Sequence, residues 1–301
     1  TPTATTAPAD LQEIGFYSHP GQAFEVEAAG DYAYVAAVSS GLRIINISNP
    51  ATPFEVGFFD TPGQAYGVDI VGNLAYVADH HQGLRIIDIS NPASPTQLGF
   101  VVPTGLSWDV TVSGSYAYLA NRWEGVKVID VSNPAQPVEI SAIPGTDQTL
   151  EISIQGHLLY LADHSAGLRV VDVSNPLTPI VLGSYDPGQV HGVTAVGNLI
   201  YAANGNSGLV VLDAANPANI TVVDTLAIPG MSRHVTVDGN IAYISSWPNG
   251  VTAVNISNPA DLVSIISVTT PGWAEMTFRH NNLLLVADYN SDLRIYQAIG
   301  Q

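Results

Sequence analysis

The sequence repeats itself with a period of about 42 residues. Gly-Leu-Arg-Ile-Ile-Asn begins at Gly41, and related segments begin at Gly83, Gly125, Gly167, Gly208, Gly250 and Asp292, at intervals of 42, 42, 42, 41, 42 and 42 residues. So regular a period means one supersecondary unit built seven times, each burying its apolar face against its neighbours. In the second copy, residues 65–71 alternate apolar and polar, 74–79 centre on a tyrosine, and 84–89 and 96–102 are rich in β-formers. Gly72-Asn73, Gly83 and Asn91-Pro92 punctuate these runs. Four short strands per repeat is the pattern of a propeller blade, because a β-helix coil is far shorter and a helical repeat would show a 3.6-residue period. The chain is expected to be all-β: a seven-bladed β-propeller of four-stranded antiparallel blades.

The phase of the repeat predicts how the ring closes. The last copy stops one strand short, after residues 293–297, while residues 11–19 match the outer-strand segment of the first full repeat with nothing before them to pair with. The N-terminal strand is therefore expected to close the last blade and remove an unpaired edge. Residues 1–10, rich in Thr, Pro and Ala, read as a flexible spacer of the kind left when a signal or anchor is removed, and residues 11–301 as a single propeller domain.

Charge and composition narrow the function. With 26 acidic against 8 basic residues, the formal net charge is −18, which opposes nucleic acid and anionic membranes. No apolar run is long enough to span a bilayer, and no cysteine is present to form a disulfide, a thiolate nucleophile or a Cys-based metal site. No cofactor is expected, and the chain is read as a monomer.

The segments Leu-Arg-Ile-Ile-Asp-Ile-Ser-Asn-Pro at 84–92, and their copies at 126–134 and 168–176, resemble the LVIVD repeat of bacterial and archaeal surface proteins. The resemblance covers residues 11–297. It implies an extracytoplasmic propeller, secreted or tethered to the cell surface, and supplies no shared catalytic residues. The seventh copy departs from it, ending Tyr296-Gln297 without Ser-Asn-Pro, and the Gly-His and Trp-Asp marks of WD40 blades are missing.

Comparison of the seven copies separates scaffold from candidate site. Tyr34, Tyr76, Tyr118, Tyr160, Tyr201 and Tyr243 share one position, which reads as packing between sheets; Arg43, Arg85, Lys127, Arg169 and Arg294 share another, which reads as pairing with nearby acids. The Asn-Pro pairs read as turns. What varies falls on the face formed by the loops from outer strand to next inner strand and from second to third strand, here the top face. All four tryptophans, Trp108, Trp123, Trp247 and Trp273, lie there, with His80, His81, His164, His191, His234, Arg122, Arg233 and Tyr289. Where the inner strands begin, one position reads Phe24, Tyr66, Trp108, Leu150, His191, Arg233, Glu275 and the next Glu25, Gly67, Asp109, Glu151, Gly192, His234, Met276.

Two functions are compatible with this set. The first is a binding or adhesion module holding a small-molecule or carbohydrate ligand, or a surface protein, in a top-face funnel. There Tyr66, Trp108, Trp123 and Trp247 would stack on it, and Glu25, Asp109, Glu151, Glu275, His80, Arg122, His164 and Arg233 would orient its polar groups. The second is a hydrolase or lyase in the same funnel, with His191 and His234 as general acid and base, Glu151 or Glu275 orienting them and Arg233 stabilising an oxyanion or a substrate carboxylate. The histidines and acids lie on separate blades without metal-ligand spacing, so no metal is assigned. The runs Asp79-His80-His81 and Asp163-His164 are not expected to chelate, because neighbours in a strand face opposite ways.

Overall fold

The computed structural model describes residues 10–145, 147–290 and 292–299. These form seven sheets of four antiparallel strands. Blade 1 comprises Glu25–Ala29, Tyr32–Ala36, Leu42–Asn46 and Phe54–Phe59, and the same order recurs through blade 6, which begins with Met231–Asp238. The first strand of each blade touches the first strand of the next, blade 7 to blade 1 included, so these seven strands ring a central channel. The only helical element among the described residues is a single 3₁₀ turn, Pro217–Asn219, and no helix is long and apolar enough to cross a membrane.

Closure follows the expected route. Blade 7 contains Ala274–His280, Leu283–Asp288 and Asp292–Ile299, and its outer strand is Asp10–Ser18 from the other end of the chain. The pairs run from Asp10 with Ile299 to Ser18 with Asp292. The strand starts one residue earlier than the sequence suggests, so Asp10 belongs to the propeller; residues 1–9 of the expected spacer lie outside the described residues. In blade 2 the first strand is Gly67–Val71 rather than 65–71. Ala65 instead forms a two-residue bridge with Val38 of blade 1, and this moves it from a strand into a clip between blades.

The core is not one mass but seven, each between two neighbouring blades. Tyr118 of blade 3 packs with Ala120, Val126 and Val128 of its own blade and with Ile152, Leu159 and Leu161 of blade 4. The tyrosines at the equivalent positions join the other interfaces, Tyr76 between blades 2 and 3 and Tyr243 between blades 6 and 7. All six are buried. Truncation of Tyr118 to Ala empties a site lined from two blades that cannot collapse onto it, so Tyr118→Ala is expected to cost roughly 3 to 5 kcal/mol in a denaturant melt. A loss below about 1 kcal/mol would mean that the blades meet without relying on this ring.

The other repeated residues also act between or across strands. Arg43 pairs with Glu55 and Asp60, Arg85 with Asp79, Lys127 with Glu124, Arg169 with Asp163, and Arg294 with Glu13, Asp288 and Asp292. Arg43, Arg85 and Arg294 also lie over Phe58, Phe100 and Phe16, their partners on the adjacent outer strands. The Asn-Pro pairs do more than turn the chain. The carbonyls of Pro50, Pro92, Pro134 and Pro217 press on the outer strand of the preceding blade where Gly15, Gly57, Gly99 and Gly183 stand. A Cβ at Gly57 would lie 2.2 Å from the Pro92 oxygen, so glycine is required there for close approach. At the equivalent place in blade 3, Ser141 Oγ donates to the Pro176 carbonyl at 2.5 Å.

Candidate functional site

The inner strands present an open edge to the channel, and an edge strand leaves backbone N–H groups unpaired unless something covers them. Here the preceding blade covers them with carboxylates. Glu27 accepts from Ile70 N–H, Asp69 from Val112 N–H at 2.5 Å, Asp109 from Ile152 N–H at 2.8 Å and Glu151 from Val193 N–H at 2.8 Å. In the blades that follow, the cross-blade bond goes to a backbone carbonyl instead: Thr194 Oγ1 donates to the Val235 carbonyl at 2.6 Å and Thr236 Oγ1 to the Thr277 carbonyl at 2.5 Å. Burial drives these acids toward the protonated state, and the charges of neighbouring acids add to it at Glu25, Glu27, Asp109 and Glu151. The Glu27 carboxyl is pushed up to about 8, Asp109 to about 7 and Asp69 to about 6, while Glu25 and Glu151 rise well above the ordinary range. Each cause is desolvation first.

These acids line the channel. A cavity of about 260 Å³ is bounded by Glu25, Glu27, Asp69, Asp109 and Glu151, by Thr111, Ser153 and Thr194, and by Met276 and Phe278. No lysine or arginine lines it, and His234 is its one basic group. Above it, between Phe24, Trp108, Leu150, His191, Arg233 and Glu275, the channel narrows to about 30 Å³, room for one or two waters. The top face therefore carries a platform of side chains around a narrow neck. Among the described residues no group of three His, Asp or Glu side chains is arranged to hold a metal ion.

The platform is built by the loops. His80, Arg122 and His164 stand at equivalent places in successive blades, each with a left-handed backbone (φ 46, 47 and 45). Each forms a bridge to the start of the next blade, at Ser107, Thr149 and Val190 respectively. These residues are in turns, so the alternation of a strand does not apply to them. His80 and His81 in fact meet, Nδ1 to Nδ1 at 3.3 Å, whereas Asp79 is buried and accepts from Gly63 N–H at 3.0 Å.

Aromatic rings run across this face as a connected arc. Tyr66 stacks on Trp108 with centroids 4.2 Å apart, Phe24 meets both edge-on at 4.8 and 5.4 Å, and Tyr289 links Phe24 at 6.5 Å to Trp273 at 6.0 Å and Trp247 at 6.2 Å. At one end Arg122 lies 4.4 Å from the rings of both Trp108 and Trp123; at the other, Arg233 lies 4.2 Å over Trp247. Tyr66 and Trp108, expected as stacking surfaces for a ligand, stack on each other. The open rings are Trp123 and Trp273, 57% and 44% exposed.

Beside the arc, the groups expected to do acid–base work hold one another. Arg233 and Glu275 both sit at β-bulges, where the ladder skips from Ser232 to His234 and from Ala274 to Met276, and a bulge re-aims a side chain. Arg233 donates to Glu275 Oε1 from Nε at 3.1 Å and Nη2 at 2.6 Å, and from Nη1 to His191 Nδ1 at 2.7 Å. A guanidinium can only donate, so His191 Nδ1 is unprotonated and the ring neutral. Burial, with Arg233 and His164 beside it, holds His191 down to about 3, and burial alone does the same to His234. Imidazoles so far below neutrality exchange protons poorly at pH 7, and the Arg233 charge is taken up by Glu275.

Of the residues singled out from sequence, Glu25, Asp109, Glu151 and His234 border both the cavity and the narrow neck, and His191, Arg233 and Glu275 form one network. Trp123, Arg122, Trp108, Tyr66 and His80 form another, with His80 5.3 Å from Tyr66 and 6.1 Å from Trp108. His164 stands 5.1 Å from His191 and 3.4 Å from Asp147, an acid not singled out. Glu27 and Asp69 were also missed. The signal for both was present, since residues two apart in a strand share a face and Glu27 follows Glu25 at that spacing.

Fold and site together define a seven-bladed propeller whose repeats share a scaffold and whose top-face loops differ from blade to blade. The LVIVD repeat family matches residues 20–61, 62–102, 104–143, 148–186, 187–227 and 229–270, and the chain belongs to that family. No curated protein sequence matches the chain. Among solved structures it is similar to the β-propeller domain of Cps50 (Swd1) from Myceliophteria thermophila, with a TM-score of 0.77 at 12% identity over 96% of this chain and 99% of that one. It is similar also to a chain of the mitotic checkpoint complex, at 0.80 and 11% over 99% and 95%. A computationally designed protein, Ika8, matches at 0.71 and 9% over 93% and 84%. At such identities these likenesses show the fold alone.

Proposed function

We propose that the chain is a binding module that seats a carbohydrate or similar ligand against the aromatic arc of the top face. The observation that carries this is the arc itself: all four tryptophans, scattered over blades that otherwise repeat, are brought to one face, and two of them keep their rings open to solvent. Rings with one apolar face exposed and fixed by neighbours lose little freedom when a sugar ring stacks on them. An extracytoplasmic site of action goes with this function.

Because every tryptophan lies on this face, a ligand seated there alters the tryptophan emission directly. Trp123→Ala and Trp273→Ala are expected to melt within a few degrees of the parent, since exposed rings contribute little to stability, and to weaken ligand affinity by up to about tenfold each. Titration of neutral and acidic polysaccharides by fluorescence and affinity electrophoresis tests this. Unchanged emission with every polymer, or equal affinity in parent and both variants, would overturn it.

A further inference from the structure

One basic side chain differs from all the others. The chain has 8 Lys and Arg, and seven of them stand in ion pairs: Arg43, Arg85, Lys127, Arg169, Arg233, Arg279 and Arg294. Among the described residues Arg122 has no carboxylate partner, although acids outnumber bases by 26 to 8. The two nearest acids in the chain and in the adjoining loop are engaged elsewhere. Glu124 lies 3.8 Å from Lys127, and Asp147 binds Ser165 and stands 3.4 Å from His164.

The geometry around Arg122 fixes it. Its guanidinium is 4.4 Å from the ring centroids of Trp108 and Trp123, and one Nη2 donates to Gln148 Oε1. A guanidinium held by its faces between aromatic rings still has donors along its edge, in the planar fork that matches a carboxylate. Partial burial makes the missing counter-charge costlier, because a charge removed from water calls for a partner. The apolar surface and the unpaired cation are adjacent: Trp123 is 57% exposed.

We propose that Arg122 is the anion-recognition residue of the top face, and that the ligand is an acidic saccharide whose carboxylate meets Arg122 while its ring stacks on Trp123. This rests on the top face being the binding platform. The overall charge of −18 repels such a ligand at long range, so its carboxylate must be held by direct contact with Arg122 once its ring is seated on Trp123.

The test uses polygalacturonate, alginate and carboxyl-reduced polygalacturonate, titrated against the full chain by tryptophan emission and affinity electrophoresis. An acidic polymer is expected to bind about tenfold or more tightly than the reduced polymer. Arg122→Gln is expected to hold the acidic and the reduced polymer alike, at the parent's affinity for the reduced one. Arg122→Lys, which keeps the charge and loses the fork, is expected to fall between. Melting curves establish that each variant is folded, and Arg122→Lys carries the comparison if Arg122→Gln is not. Equal binding of acidic and reduced polymers by the parent would overturn the anion site and leave the platform standing. Equal loss of both polymers in Arg122→Gln would reduce Arg122 to a spacer between indoles. Binding of none, with unchanged emission, would overturn platform and anion site together.

Discussion

A chain that begins at His19, lacking the closing strand, is expected to melt roughly 10 °C or more below the parent and to aggregate on heating. Its loss exposes the whole edge of Asp292–Ile299, from Asp292 to the partner of Asp10. It also removes Leu11, buried between blades 6 and 7, and Glu13, which binds Arg294 and accepts from Tyr296 at 3.2 Å. Arg294 would keep Asp288 and Asp292 but lose the Phe16 ring beneath it. A chain shortened only by residues 1–9 retains every pair of this ladder and serves as the control. Differential scanning calorimetry of the two truncations against the parent decides the matter; coincident melting of all three would mean that the ring does not depend on closure by its own N-terminus.

The second large effect is a fall in stability as pH rises. The folded-state pKa values of Asp69, Asp109 and Glu27 lie at about 6, 7 and 8, above those of the same groups in an unfolded chain. Through these groups the folded state binds more protons than the unfolded one, and the stability they contribute is fully present at acidic pH and lost as pH climbs through these values; His191 and His234, held down to about 3, contribute stability that is lost as pH falls below about 6.5. Asp88, Asp130 and Asp172 also act in the opposite sense to the channel acids. Hydrogen bonds from Ser90, Ser132 and Ser174 hold them below the usual range, so their contribution is lost in stronger acid.

The melting temperature should thus peak near about pH 5 and fall by roughly 5 °C by about pH 8.5. Glu27→Gln keeps an oxygen for Ile70 N–H and removes the charge that faces Asp69 and Asp109, so it should recover part of this fall at alkaline pH and change little at about pH 5. A melting temperature that holds level or rises from about pH 5 to 8.5, unmoved by Glu27→Gln, would show that the channel acids ionise freely.

How much of this was legible beforehand differs between scaffold and site. The repeat gave blade number, strand number and the closing strand, because period and phase are one-dimensional properties that a closed ring must respect. The tyrosine and arginine positions were also legible, since seven copies in one chain act as their own comparison. The site was legible only as a set of residues on one face. That Tyr66 and Trp108 would occupy each other, or that Arg233 would be neutralised by Glu275, depends on side chains from neighbouring blades reaching across an interface.

The amino-acid sequence by itself determined that seven like units close into a ring and which face varies. Only the tertiary structure decided that this face is a platform over a narrow neck, that the acids at Glu25, Glu27, Asp69, Asp109 and Glu151 converge on one cavity, and that among the described residues Arg122 is the one lysine or arginine left without a carboxylate. The physical reason is that position along a strand follows from local periodicity, whereas the pairing of charges and rings depends on distances between residues some 42 positions apart, set by the packing of one blade on the next.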